Sequence, residues 1–524
     1  MNRSPTLKPQ ALISLGILAI YSALAVGTAL TAIPGTDEGW FANPAYNLIT
    51  KGSFSTTVME TFATPFAGMD RHTYWIMPLQ PLTLSLWYRL FGFSVFSSRS
   101  LSIVWGLVAL VSWFIIVRSL FRRTSLGFLV LALLSCDYIF IVCASSGRMD
   151  VMSAALGFAG FAAYLRLRER SLIWAIMVSQ SLIVMSGLTH PMGLLSFFGL
   201  ICLTLYFDRK RLELKHSAVA LTPYLIGGVG WGLYILQDPS SFFSQFSANA
   251  MMGSVEYTGS RLLGLFSPFT ALKLELTERY FANFGFARRD TGLTHIKILF
   301  LALYVFGVVG SLLVREVRRT ANYKLLLGIT SIYFVGLTIM DSQKNYYYLV
   351  HIVPFYLTMF ALFVSWCWAR PKLAGKAVAV ALSALGLVEI AGLSYRISRN
   401  NYRNSFQPAA AVLQQNATAD SLIAANPGVA FGLGFPDNVF HDPVLGYNTN
   451  KKFDYIVIDP ETAYGMDRCK DRNPQLYEYL MRLLTTEYNR TYDYRSYTIY
   501  TRKSSHEPSP SSVKLTENAN VDKQ

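Results

Sequence analysis

The chain has 524 residues, of which 52% are hydrophobic, 14% aromatic and only 15% charged. That balance is too apolar for a soluble protein of this length and indicates an integral membrane protein. The formal net charge of +15 comes from short Lys/Arg clusters between apolar runs, which suits loops at an anionic membrane face, and no nucleic-acid motif accompanies it. Cys136, Cys143, Cys202 and Cys367 lie inside apolar runs and only Cys469 in a polar region, which argues against a disulfide framework.

Residues 11–33 form the first apolar run, after Arg3 and Lys8, and exceed the ~20 residues that a helix needs to cross the hydrocarbon core. "ALTA" before Ile33 resembles a cleavage site, but the run is longer than the apolar region of a signal peptide, so an uncleaved first helix is expected. Further runs lie near 101–117, 126–146, 151–165, 172–190, 191–207, 217–236, 294–314, 325–341, 346–368 and 377–395. The expectation is an α-helical polytopic protein of about eleven transmembrane helices. Basic clusters at Arg118/Arg122/Arg123, Arg166/Arg168/Arg170, Arg209/Lys210/Arg211/Lys215, Arg315/Arg318/Arg319/Lys324 and Arg370/Lys372/Lys376 fall at every second junction. The positive-inside rule places them in the cytoplasm with the N-terminus. This alternation requires that "YWIMPLQPLTLSLWYRLFG" (74–92) not span, and Pro78, Pro81, Arg89 and the interleaved aromatics suit an interfacial or re-entrant helix.

Residues 34–98 and about 238–291 are then large outer loops of a membrane module spanning 1–396. Residues 397–503 turn polar: "SLIAAN", "FDYIVID" and "YDYRSYTIYTR" read as strands, and "QPAAAVLQQN" and "PQLYEYLMRLLTTEY" have helical spacing. A small extracytoplasmic α/β domain is expected there, followed by a disordered tail at 504–524. No internal repeat is evident.

This topology gathers Asp37, Glu38, Arg148, Asp150, His190, Asp341 and Lys344 at outer helix ends. Ionisable groups so close to hydrocarbon usually face a wet cavity or one another. Each also has a plainer reading. Asp37 could cap a helix, although Asn43 as cap with Pro44 at the first helical position fits better. Glu38, about 100° from Asp37 on a helix, would point elsewhere as a hydrogen-bonding neighbour. Arg148 and Asp150 could form a local ion pair, and His190 before Pro191 could be structural. Asp137, ~16 Å deeper than Arg148 along a helix, reads as a hydrogen-bonded structural acid. Lys344 could snorkel among the belt of Tyr346, Tyr347 and Tyr348, with His351 further in, or bind a lipid phosphate as a point charge. Phosphate-binding Gly loops, Walker, HExxH and GxSxG motifs are absent from the sequence, so a transferase would draw its activated donor from the membrane.

"TDEGWFANPAYNLITKGSF", "RHTYWIMPLQPLTLSLWYRLFGFSVFSSRSLSIVWG", "GRMD" and "KNYYYLVHIVP", in this order and on one membrane side, resemble the GT-C superfamily of polyprenyl-phosphate-dependent glycosyltransferases. The similarity is greatest to the branch of protein O-mannosyltransferases and the lipid A aminoarabinose transferase. The resemblance covers most of residues 10–395. It implies Asp37 as general base, Glu38 as supporting acid and Asp150 as a second acidic position. It also implies Lys344, Arg148 and Tyr347 at the donor phosphate, with His72, Trp75, His190 and His351 as substrate-binding candidates. A sugar would pass from a polyprenyl phosphate to a lipid, glycan or protein acceptor outside the plasma (inner) membrane, with inversion. Relatives near the lipid A enzyme carry Glu-Lys before the paired prolines, and "RHTYWIMPLQP" has neither; Arg71, His72 or Glu60 are substitutes, and a divalent metal is left open. A transporter or flippase, a non-catalytic assembly protein and a ligase with a diphosphate-linked donor are the competing classes.

Overall fold

The computed structural model describes residues 9–59, 66–251, 263–285, 294–370 and 373–503; Glu60 and the tail at 504–524 lie outside them. The membrane module begins with α1 (Pro9–Thr31), α2 (Thr36–Thr50), α3 (Leu79–Phe91), α4 (Val95–Phe121), α5 (Thr124–Cys136), α6 (Tyr138–Ala144), α7 (Asp150–Leu167), α8 (Leu172–Thr189), α9 (Gly193–Asp208) and α10 (Leu214–Ile235). It continues with α11 (Pro239–Met251), α12 (Leu263–Phe266), α13 (Pro268–Leu274) and a π-helical segment (Glu275–Phe281). Then come α14 (Ile298–Leu313), α15 (Arg315–Arg318), α16 (Tyr323–Met340), α17 (Val353–Trp368) and α18 (Leu373–Arg399).

All eleven apolar runs are helical. Among the described residues seven helices are long and apolar enough to cross a bilayer, and eight if α5 and α6, bent by 64° at Asp137, form one broken span. The remaining runs fall just short for visible reasons. Helices α9 and α17 have 16 residues each, and α7 carries Asp150 and Arg166 within its 18. Helix α7 is nevertheless buried along most of its length, so its surroundings are protein. Its small residues let α8 and α9 approach: a Cβ on Gly160 would sit 3.2 Å from the Ser179 carbonyl, and one on Gly157 would collide with Ser196. At the break, Asp137 accepts from Phe140 N at 2.8 Å and from the Tyr304 hydroxyl at 2.6 Å. With 13 residues, or ~20 Å of rise, α3 is too short to cross. It buries Gln80, Leu84 and Tyr88 and leaves Leu82, Leu86 and Leu90 exposed, the two-faced pattern of an interfacial helix.

Neighbouring basic clusters are joined in pairs. Arg168 and Arg211 share Asp208 at 2.6 and 2.8 Å, and Arg370 pairs with Glu316 at 2.7 Å. Asn322 donates to the Leu120 carbonyl.

Beyond α18, a π-turn (Tyr402–Phe406) leads into α19 (Gln407–Asn416), β1 (Ile423–Ala424), α20 (Pro427–Gly432), β2 (Val439–Phe440), β3 (Tyr455–Ile458), α21 (Pro460–Arg472), α22 (Pro474–Thr486), β4 (Tyr488–Tyr494) and β5 (Tyr497–Arg502). The sheet order is β2-β1-β3-β5-β4. Strand β1 runs parallel to β2 and β3, with Ile423 opposite Val439 and Tyr455, whereas β5 is antiparallel to β3 and β4. The stretch expected as one strand over 492–502 is a hairpin, because the chain reverses at Arg495 with φ of 55°. This unit packs directly on α2. A Cβ on Gly39 would lie 2.1 Å from the Pro427 carbonyl, and one on Gly428 would lie 2.4 Å from that of Pro34, so only glycines permit the contact.

Candidate active site

Helix α2 begins seven residues before the expected Asn43 cap, at Thr36, and carries Pro44 in its interior. The reason is Glu38 at the third helical position, whose Oε2 accepts from Gly35 N at 2.8 Å and closes the first turn. Asn43 is buried, and its Oδ1 accepts from Thr57 N and Val58 N at 2.7 and 3.3 Å; it anchors the following loop and does not cap the helix.

Glu38 is fully engaged. Arg99 of α4 donates to its two oxygens at 2.8 and 2.6 Å, and Gly147 N adds a third contact at 2.7 Å. The other Arg99 N–H groups go to the carbonyls of Ala29, Ala32 and Ile33 at the end of α1. Burial would raise the Glu38 pKa, but the Arg99 charge and these N–H donors hold its carboxyl below the usual range. Glu38 therefore ties α1, α2, α4 and the loop before α7 together.

Asp37, one residue earlier, points into open space with its side chain 36% exposed. Arg148 donates to it through Nη1 and to buried Asp150 through Nε at 2.7 Å. Tyr347 lies under the guanidinium, 4.0 Å from ring centroid to Cζ, and Phe41 at 5.3 Å. The anticipated Arg148–Asp150 pair is thus present, and it extends to Asp37. Asp150 is sealed off at 1% exposure.

Asp37 and Arg148 stand in the walls of two cavities. One, of about 560 Å³, is polar and includes Lys344, Tyr347, Glu278, Glu461 and Arg468. The other, of about 170 Å³, is aromatic and includes Trp40, Phe41, Trp75, His190 and Tyr348. Lys344 reaches the larger cavity in a left-handed backbone conformation, φ 54°. Its ammonium is already held by Glu275 at 3.1 Å and the Thr338 carbonyl at 2.6 Å. Arg279, fully buried, bridges Glu275 at 2.7 Å and Asp341 at 2.9 Å. Asp341 also accepts from Gln343 N and Asn345 N, shaping the turn that carries Lys344.

Trp75 donates to Thr56 at 3.1 Å and packs against Phe41 and Trp40. His190 Nδ1 accepts from Met192 N at 3.1 Å. His72 stacks on Tyr74, which lines the aromatic cavity, but does not itself line either cavity, and His351 is fully buried with no hydrogen bond to either ring nitrogen among the described residues. Among the residues missed from sequence, Glu461, Tyr464 and Arg468 of α21 line the larger cavity. The signal was "IDPETAYGMDR", where a strand ends at a capping Asp459, whose side chain accepts from Thr462 N, and Pro460 opens a helix. Positions 461, 464 and 468 then share one face. Glu461 is solvent-exposed, and its Oε2 accepts from the Thr36 hydroxyl. Among the described residues no group of three or more His, Cys, Asp or Glu side chains is arranged to hold a metal ion. Glu38 is engaged by Arg99 and Asp150 by Arg148.

Fold and site define a multi-pass helical membrane protein whose polar cavity lies at one end of the bundle, closed on one side by an α/β unit. No family model and no curated protein matches the chain. Solved structures do. ArnT from Cupriavidus metallidurans bound to undecaprenyl phosphate matches 95% of this chain over 99% of its own, at a TM-score of 0.55 and 14% identity. The archaeal oligosaccharyltransferase AglB from Archaeoglobus fulgidus, in complex with an inhibitory peptide and a dolichol-phosphate, matches 94% over 75% of its own, at 0.55 and 14%. At these identities the likeness is one of fold, which this chain shares with ArnT and AglB over most of its length.

Proposed function

We propose that the protein is a membrane glycosyltransferase that moves a sugar from a polyprenyl-phosphate donor to an acceptor hydroxyl by single displacement at Asp37. The observation that carries the reading is that Asp37 is the open acid between two cavities. Inversion needs leaving group and nucleophile on opposite faces of the anomeric carbon. The larger cavity, with Arg148, Lys344 and Arg468 in its walls, suits the donor phosphate. The aromatic one suits the acceptor. As the acceptor oxygen bonds to the anomeric carbon, the bond to phosphate oxygen breaks, the electron pair leaves with the polyprenyl phosphate, and Asp37 takes the hydroxyl proton late in the transition state. Arg148 orients Asp37 while Asp150 holds Arg148 from behind.

An apolar groove of about 500 Å³ along α14 and α16, walled by Leu301, Val305, Val309, Leu327 and Phe334, begins at Leu276 and Tyr280 beside the larger cavity. It suits the isoprenoid chain. The cavity end faces the outside of the plasma (inner) membrane, with the basic clusters and N-terminus in the cytoplasm and all eleven apolar helices in the bilayer. Residues 1–396 are the catalytic module and 397–503 an extracytoplasmic unit.

The test is transfer by purified full-length protein from labelled polyprenyl-phosphate sugars to membrane acceptors. Transfer by wild type and its loss in Asp37→Asn at unchanged carrier-lipid binding supports the reading. No transfer from any lipid-linked sugar returns the protein to the transporter or assembly classes.

A further inference from the structure

Helix α21 carries Glu461 to the wall of the donor cavity, where the residue is exposed. Thr36, the first residue of α2 and chain neighbour of Asp37, donates its hydroxyl proton to Glu461 Oε2. The two residues are 425 positions apart, and the close approaches of Gly39 to Pro427 and of Gly428 to Pro34 hold α2 against the C-terminal unit around them. Among the described residues the other Glu461 oxygen has no hydrogen-bond partner, and no cation lies within ion-pair distance of the carboxylate. The acids beside it differ: Glu38 is held by Arg99, and Asp150 and Asp37 by Arg148. Glu461 also stays on one side of the reaction. It lines the donor cavity and an adjoining crevice of the C-terminal unit, but not the aromatic cavity given to the acceptor.

Resting on the glycosyltransferase reading, we propose that Glu461 is a sugar-binding residue: its carboxylate accepts a hydrogen bond from a ring hydroxyl of the lipid-linked sugar, so that the C-terminal unit completes the donor site and selects the loaded carrier over the spent one. The two ends of the donor differ in what they offer. An ionised carboxylate only accepts hydrogen bonds. The carrier's phosphate oxygens are acceptors too and carry negative charge, so a carboxylate with no cation beside it repels them. Sugar hydroxyls donate. An exposed, cation-free carboxylate in this wall therefore belongs against the sugar, whereas the phosphate belongs with Arg148 and Lys344.

Position agrees with chemistry. Thr36 and Asp37 are consecutive in the first turn of α2, so a carboxylate bonded to the Thr36 hydroxyl stands close to the residue that meets the anomeric centre. The same bond fixes the pose of Glu461. Its Oε2 is engaged, Oε1 is left for the sugar, and a side chain already held in place loses less freedom when substrate arrives. After transfer the carrier is a bare polyprenyl phosphate, which offers Glu461 no hydroxyl and carries a charge that it repels. Glu461 thus favours substrate and disfavours rebinding of product.

The experiment measures the binding of two probes to full-length protein in nanodiscs. One is undecaprenyl phosphate, and the other is undecaprenyl phosphate carrying a single neutral sugar, drawn from a panel of hexoses and pentoses. The readout is the ratio of loaded to bare affinity for the sugar that wild type binds best. Glu461→Ala should lower this ratio about tenfold, the effect of losing one charge-assisted hydrogen bond, with bare-carrier affinity unchanged or raised. Glu461→Gln keeps an acceptor oxygen without the charge and should lower the ratio by a smaller factor. A ratio equal in wild type and Glu461→Ala overturns the proposal and leaves the glycosyltransferase reading intact, whether both affinities hold or both fall together; a joint fall is the pattern of a merely structural contact. Wild type that binds neither probe overturns that reading, and the proposal with it. Should Glu461→Ala fail to fold, the isosteric Glu461→Gln carries the test, and a ratio equal to that of wild type overturns the assignment.

Discussion

Replacing Glu38 by Ala separates a structural clasp from a catalyst. The carboxylate accepts two charge-assisted hydrogen bonds from Arg99 and one each from Gly35 and Gly147. Without it, Arg99 keeps three carbonyl partners but remains a buried cation, 2% exposed, with no counter-ion. Breaking a buried pair by removing one partner costs about 3–5 kcal/mol, a large share of the roughly 5–15 kcal/mol that holds a typical domain folded. Thermal unfolding of detergent-purified protein should shift down by several degrees, and Arg99→Met added to Glu38→Ala should recover part of the loss, because the uncompensated charge goes with it. The pH dependence is fixed in sign. The folded-state Glu38 value lies below the ordinary 4.5, so its contribution is complete above that value and is lost as pH falls through the lower one. Wild type should lose stability on acidification below about pH 4.5 more steeply than Glu38→Ala. A Glu38→Ala protein with wild-type unfolding temperature and abolished transfer would refute this reasoning and make Glu38 a reacting group.

Asp37→Asn should lower transfer by about 10²–10⁴-fold, the range of general-base assistance, with unfolding temperature and carrier-lipid affinity unchanged; near-normal turnover removes Asp37 as base. Arg148→Lys should lose about tenfold or more in turnover, because an ammonium cannot bridge Asp150 and Asp37 in the plane of a fork stacked on Tyr347. Gly39→Ala should loosen the C-terminal unit, since the added methyl would meet the Pro427 carbonyl at 2.1 Å; faster limited proteolysis between α18 and α19 reports it. Val309→Trp should fill part of the groove beside α14 and weaken carrier-lipid binding about tenfold without touching Asp37, and unchanged affinity would move the isoprenoid chain elsewhere.

Helices were legible wherever burial in hydrocarbon writes itself as a continuous apolar run, as at 101–117 or 377–395. The start of α2 was not, because its cap position is Gly35, which has no side chain to signal it, and the turn is closed by Glu38 reaching back to Gly35 N, whereas Pro44 reads as a helix start although it lies inside the helix. Adjacency did separate the acids correctly as directions: Glu38 turns inward to Arg99 and Asp37 outward to the cavity. Glu275 and Arg279 were invisible because they lie in a stretch read as loop, and their charges make sense only opposite Asp341 and Lys344. The α21 wall was missed for a related reason. "PETAYGMDRCKDR" is polar on most sides, with no residue fully buried, so nothing in its pattern tells a cavity-lining face from a solvated one.

Arg148 connects these observations. A guanidinium beside a general base withdraws the negative charge that the base needs, so a lone Arg148–Asp37 pair would hold Asp37 in place at the expense of its proton affinity. Asp150 resolves the conflict. It is buried, out of reach of either cavity, and takes the Nε edge of Arg148 at 2.7 Å, so the cation's charge is shared before Asp37 meets it. The stack on Tyr347 fixes the plane of the fork, which keeps Nη1 directed at Asp37 while Nε stays with Asp150. The same sharing limits what Arg148 can offer an incoming phosphate, and Lys344 is limited in turn by Glu275.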